Sequence, residues 1–234
     1  MTMLNQNMSA PRQLELPRTR GWGGRRPGAG RKRVSARPLV PHRPRQPHAA
    51  RHPVHVTWRC ASGIGSLRSI DVFPHVVAAL GMASGAAFRL LQFSVQDNHL
   101  HLLVEAASGD ALRAGAQGLG VRLARAVNRA FARKGRVLSD RFHARLLRTP
   151  REVRFCLAYV LQNFKKHQVR VSTLLDPCSS AEWCDGIDGL TALPLEGAPV
   201  VASRTWLARV GWRRYGLISP REHPCLMASR SPPR

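Results

Sequence analysis

Two strand-like runs, Phe88 to Val95 and Asn98 to Glu105, are separated only by a tight connection at Gln96, Asp97 and Asn98. A link that short fits an antiparallel hairpin and leaves no room for a crossover to a parallel strand. Upstream, Val54 to Arg59 alternates as a strand does, and Ile70 to about Ser84 carries Val72, Val76, Val77 and Leu80 on one side of a helix. Downstream, Ala111 to Arg133 places Leu112, Ala116, Leu119, Leu123, Val127 and Ala130 at the three-and-four spacing of a buried stripe. Ala144 to Arg148 is a short strand candidate. In Thr149-Pro150-Arg151-Glu152 a capping threonine, a first-turn proline and a glutamate at the third helical position mark a helix start. That helix is expected to run to about His167, with Val153, Leu157, Val160 and Phe164 toward the core. The order strand, helix, strand, strand, helix, strand, helix predicts an α+β chain with a ferredoxin-like split βαβ antiparallel sheet, helices on one face and one helix appended. The other face is left for a site.

The second strand of the hairpin reads His99-Leu100-His101. Alternation points both imidazoles to one face and the leucine to the other. Such a pair is either half of a metal site, open to a third protein ligand and a substrate oxygen, or a polar strand face. On the appended helix Tyr159 and Asn163 stand four residues apart and project together, beside Glu152 and Lys166. A phenol can attack a phosphodiester when a metal withdraws charge from the phosphate, and a carboxamide oxygen one turn away can complete the metal's ligands. A lone tyrosine on an amphipathic helix otherwise packs.

Thirty-seven Lys and Arg against thirteen Asp and Glu give a formal charge of +24, which calls for a polyanionic partner, nucleic acid first. Residues 1–50, rich in Pro, Gly and Arg, cannot bury enough apolar surface to fold alone. Arg25, Arg26, Arg31, Lys32 and Arg33 make this segment a flexible arm for DNA phosphates or a solvated tail. Arg122, Arg125, Arg129 and Arg133 recur along one helix side, as a stripe following a phosphate backbone or as an ordinary solvated face. No run is apolar and long enough to span a bilayer and no signal peptide opens the sequence, so a soluble, cytoplasmic, nucleoid-associated protein with no membrane partner is expected. Cys60, Cys156, Cys178, Cys184 and Cys225 are odd in number and scattered, which argues for reduced thiols and against a disulfide framework or a zinc finger. In residues 169–234, Trp183, Trp206 and Trp212 suggest that part of the extension folds onto residues 51–168. Ser203 to about Tyr215 should hold a short basic helix, and Ser229 to Arg234 are expected to be disordered.

Gln96-Asp97-Asn98-His99-Leu100-His101-Leu102-Leu103-Val104-Glu105, Ser139-Asp140-Arg141-Phe142-His143-Ala144, and Arg148-Thr149-Pro150-Arg151-Glu152-Val153 leading to Ala158-Tyr159-Val160-Leu161-Gln162-Asn163 together resemble a known family. The chain resembles the IS200-like transposases, and more narrowly the REP-associated tyrosine transposases among the histidine-hydrophobic-histidine nucleases of single-stranded DNA, over residues 23–168. The resemblance implies that His99, His101 and Asn163 bind Mg²⁺ or Mn²⁺ and that Tyr159 is the nucleophile. It also implies a 5′-phosphotyrosine, a free 3′-hydroxyl and later resealing by another 3′-hydroxyl, which agrees with the lack of a nucleotide-binding loop. The implied substrate is single-stranded DNA at hairpins of repeated palindromes. The implied assembly is a monomer with Tyr159 acting in cis, a homodimer being the alternative. His143 would stand behind the ligands, touch DNA, or be structural. The chain departs from the family pattern at Asp97 and Phe164, where many members carry proline, and neither change removes a proposed ligand or the nucleophile. A non-cutting DNA-binding regulator of the same fold is the competing function. An RNA-binding sheet would need exposed aromatics on its central strands, where Phe93 and Trp58 are few.

Overall fold

A computed structural model describes residues 47–167 and 173–224. Its elements, in chain order, are β1 (Val54–Arg59), α1 (Phe73–Gly81), β2 (Phe88–Gln96), β3 (His99–Ala106), α2 (Gly109–Ala130), β4 (His143–Leu146), α3 (Pro150–Leu161), α4 (Asn163–Lys166) and α5 (Trp206–Arg209), with 3-10 turns at Ala181–Trp183 and Gly211–Tyr215. The four strands form one antiparallel sheet in the order β2-β3-β1-β4. Crossovers β1-α1-β2 and β3-α2-β4 around a central β3-β1 pair make this the ferredoxin-like α+β arrangement. The hairpin closes with Gln96 opposite His99, so Asp97 and Asn98 alone form the turn. The arm residues Arg25, Arg26, Arg31, Lys32 and Arg33, the tail Ser229 to Arg234 and Cys225 lie outside the described residues.

Alternation decides which side of each strand enters which layer. Val54, Val56 and Trp58 of β1 pair with Val104, Leu102 and Leu100 of β3, and all face α1 and α2. There they meet Val76, Ala79 and Leu80 of α1 and Leu112, Ala116, Leu119, Leu123 and Val127 of α2, the stripes visible as periodicity. Phe93 and Trp58 are buried in this layer, which removes the aromatic platform of an RNA-binding sheet. Gly120 lets α2 lie close, because a Cβ there would sit 2.5 Å from the Trp58 ring. The cost of about 1 kcal/mol for a glycine inside a helix is offset by that approach. Ser108 caps α2 by accepting from Ala111 N at 3.0 Å.

The second face is not left open. His55, Thr57, Arg59, His99, His101 and Glu105 point to it, but so do Leu91 and Leu103, and this apolar pair must be covered. α3 covers it with Val153, Leu157, Val160 and Leu161, and residues 173–224 bury the outer side of α3 with Leu207, Ala208, Trp212 and Ile218. Buried polar contacts fix the extension in place: Glu105 accepts from the backbone N–H of Arg204 at 3.0 Å and of Thr205 at 2.8 Å, and Asp176 holds Arg68 through two bonds of 2.7 and 2.9 Å. Trp212 is buried, Trp183 packs on the core and Trp206 is exposed.

One helical expectation is corrected. The helix from Pro150 is not continuous to His167. It stops at Leu161, where Gln162 leaves helical geometry at φ −105° and ψ 11°, and the chain resumes as α4; the side chains of Gln162 and Lys165 donate to the Ser219 carbonyl at 2.8 Å and the Pro220 carbonyl at 2.5 Å. Ser203 to Tyr215 holds a short helix, α5, which ends at Arg209; Gly211 takes the Trp206 ring against its backbone, and a 3-10 turn follows. The capping box of α3 forms as read, with Glu152 N–H donating to Thr149 Oγ1 at 3.2 Å and Thr149 N–H to Glu152 Oε2 at 3.1 Å. Glu152 also takes an ion pair from Arg145 at 3.3 Å, so its carboxylate belongs to the start of α3 and is not beside Tyr159.

Candidate active site

His99 and His101 lie on the face that α3 covers, both buried, with ring centroids 4.9 Å apart. Tyr159 comes from α3 above them and stands edge-on to His101 at 5.1 Å. Strand and helix therefore converge: the nucleophile candidate meets His101, which in turn meets His99. Asn163 opens α4, four residues on, completely buried.

The polar atoms left over define what the pocket can hold. His99 Nδ1 lies 2.9 Å from Asn98 Oδ1, an acceptor that calls for the proton on Nδ1 and leaves the Nε2 lone pair for another partner. His101 Nδ1 is engaged at 3.2 Å by both His55 Nε2 and Thr57 Oγ1, while its Nε2 is buried with no hydrogen-bond partner. Asn163 Oδ1 and Nδ2 are likewise buried and unpartnered. Buried polar groups are nearly always satisfied, so an unpaired imidazole nitrogen here calls for a further partner. Among the described residues no three His, Cys, Asp or Glu side chains could hold a metal ion. A divalent cation held by His99 and His101 would therefore need a donor of another type.

Electrostatics keep the imidazoles neutral. Burial, reinforced by Arg59, His167 and Lys166, pushes His99 down to about 4. Burial, with His55 and His99 close by, pushes His101 down to about 2, and burial with His143 and Arg145 takes His55 to about 4. Neutral imidazole is the form that binds metal.

Three side chains at the site were not singled out as site residues in the sequence. His55 stacks on His101 at 5.3 Å and stands edge-on to Tyr159 at 5.8 Å; His167 lies 5.0 Å from His99. Lys166 reaches the Tyr159 hydroxyl at 3.3 Å. The signal for His55 was present, since His55, Thr57 and Arg59 form the polar side of an alternating strand, but which histidine they would meet depends on register across strands 44 residues apart.

The other candidates lie elsewhere. His143 is exposed on β4, opposite Thr57 and so in the same cross-strand row as His101, two strands away. Arg122, Arg125 and Arg129 are exposed on α2, in the layer on the opposite side of the sheet from Tyr159. Arg133 instead turns back to donate to Asn128 Oδ1 at 2.8 Å. No helix among the described residues is long and apolar enough to cross a membrane.

Fold and pocket together define a ferredoxin-like domain with a histidine–tyrosine site on its helix-covered polar face. No family model and no curated protein matches the sequence. A solved structure of a REP-associated tyrosine transposase bound to a REP hairpin is similar to this chain at 14% identity and a TM-score of 0.48, over 61% of this chain and 83% of that one.

Proposed function

We propose that the protein is a metal-dependent transesterase that cuts and rejoins single-stranded DNA at hairpins, as the sequence motifs suggest, with Tyr159 as nucleophile. The observation that carries this reading is the meeting of Tyr159 with His101 at 5.1 Å, beside a buried His101 Nε2 that lacks a partner. His99, His101 and Asn163 would hold Mg²⁺ or Mn²⁺. When bound, that ion withdraws charge from a scissile phosphate.

The remaining chemistry belongs to the chain. Tyr159 Oη attacks phosphorus, forming the O–P bond of a 5′-phosphotyrosine as the P–O3′ bond breaks. The phenol gives up its proton to solvent, and the departing 3′-oxygen takes one up. Lys166 places its ammonium 3.3 Å from that hydroxyl, beside the attacking oxygen. Reversal by an incoming 3′-hydroxyl reseals a strand without a nucleotide triphosphate, the bond energy being kept in the phosphotyrosine. The net positive charge of +24 favours the polyanion.

The test is incubation of end-labelled single-stranded hairpin DNA with the protein and Mg²⁺ or Mn²⁺, resolved on a denaturing gel. A covalent adduct in the wild type and none in Tyr159→Phe is expected. Tight binding with no adduct on any repeat hairpin would replace this reading with the non-cutting regulator.

A further inference from the structure

His55 is a polar side chain beside the proposed centre that the chemistry above does not use. It sits on β1, across the strand pair from β3, with Nε2 3.2 Å from His101 Nδ1 and its ring stacked at 5.3 Å. Thr57, two residues on and directly opposite His101 in the register, brings Oγ1 to the same nitrogen at 3.2 Å. One ring nitrogen of His101 thus has two neighbours, and the other, buried Nε2, has none.

A neutral imidazole carries one proton. With it on Nε2, Thr57 or His55 could donate to Nδ1, but a buried N–H at Nε2 would have no acceptor. With it on Nδ1, the N–H is shared between His55 Nε2 and Thr57 Oγ1, and the Nε2 lone pair faces the pocket. We infer that His55, with Thr57, is a positioning residue that fixes His101 as the Nδ1–H tautomer and holds its Nε2 lone pair toward the cation site. On the other histidine, Asn98 Oδ1 stands 2.9 Å from His99 Nδ1 in the same relation. Partners of this kind behind a ligand typically change metal affinity ten- to a hundredfold, roughly, when removed. Both His55 and Thr57 come from one central strand, whose pairing to β3 over six residues sets their position without any loop.

The inference rests on the proposed metal site, and its test separates the two. Calorimetric titration of the full chain with Mn²⁺ is done on wild type, His55→Phe, which keeps a ring but no acceptor, and His55→Gln, which keeps one. His55→Phe is expected to bind Mn²⁺ at least about tenfold more weakly and His55→Gln within about threefold of wild type. In parallel, long-range ¹H–¹⁵N correlation of metal-free wild type at pH 7 is expected to show His101 protonated at Nδ1, a readout that needs no variant to fold. Wild-type binding with His55→Phe unchanged overturns the role of His55 alone, as does a proton found on Nε2. A wild type that takes up no Mn²⁺ overturns both the metal site and the role assigned behind it.

Discussion

Lys166 holds its ammonium 3.3 Å from the Tyr159 hydroxyl and 5.1 Å from the centre of the same ring. The two residues belong to different helices, α3 and α4, and meet across the break at Gln162. A cation so placed attracts the negative charge that the reaction brings to that oxygen. Lys166→Met is therefore expected to slow adduct formation by about a hundredfold, in the range found when one donor to a developing anion is removed, with Lys166→Arg slowed far less. Single-turnover formation of the protein–DNA adduct measures it, and an unchanged rate in Lys166→Met would remove the ammonium from the chemistry.

Asn163 is buried with both amide atoms unpartnered, an arrangement that costs about 1–3 kcal/mol per group when nothing else fills the site. Asn163→Leu, similar in volume, should therefore be as stable as the wild type or more so in the absence of metal. It should also lose the stabilisation that a bound ion confers, about 2.7 kcal/mol at a hundred times Kd. Urea unfolding with and without Mn²⁺ separates the two terms. A variant that is destabilised without metal and still responds to it would make Asn163 a structural residue.

Local features were legible in the sequence. The Thr149–Glu152 capping box, the α2 stripe and the Asp97-Asn98 hairpin each depend on residues a few positions apart, and each forms as read. The polar side of β3 was legible too, because alternation alone puts His99 and His101 together. What escaped depends on distant chain. His55 becomes a partner of His101 only through the β1–β3 register, and the helix from Pro150 breaks where Gln162 finds a carbonyl 57 residues later. The face expected to stay free is covered because Leu91 and Leu103 are apolar, and what covers them includes residues beyond 200.

Acid should destabilise the metal-free protein in a defined window. His55 and His99 titrate near 4 and His101 near 2 in the folded chain, each held down first by burial, against 6.5 for a free imidazole. Between these values the unfolded chain binds protons that the folded chain refuses, so stability is full above about pH 6.5 and falls as the pH drops toward 4. Denaturant midpoints at pH 7.5, 6 and 4.5 are expected to decline in that order. A triple variant carrying His55→Phe, His99→Phe and His101→Leu should flatten the decline, and an equal slope in wild type and variant would place the acid sensitivity elsewhere.

Arg154 and Glu222 tie the helix that carries Tyr159 to the C-terminal extension. Arg154 is on α3, five residues before Tyr159, and its buried guanidinium donates through both terminal nitrogens to Glu222 at 2.8 Å, while also reaching the carbonyls of Gly216 at 3.0 Å and Leu217 at 2.9 Å. A buried pair of this kind is weak evidence for net stability, since desolvation opposes its Coulomb gain, but removing one partner strands the other charge. Glu222→Leu is therefore expected to cost about 3–5 kcal/mol. Arg154→Met with Glu222→Leu should recover most of that loss, because no charge is then left buried, although the carbonyls of Gly216 and Leu217 lose their donor. If the pair matters to the site as well as to the fold, the double variant regains stability and still forms adduct more slowly, since an apolar contact does not fix the rotation of α3 as a bidentate bond does. Full recovery of both stability and adduct rate would reduce Arg154–Glu222 to packing, and would leave the contacts of Val153, Leu157 and Val160 with the sheet as what aims Tyr159.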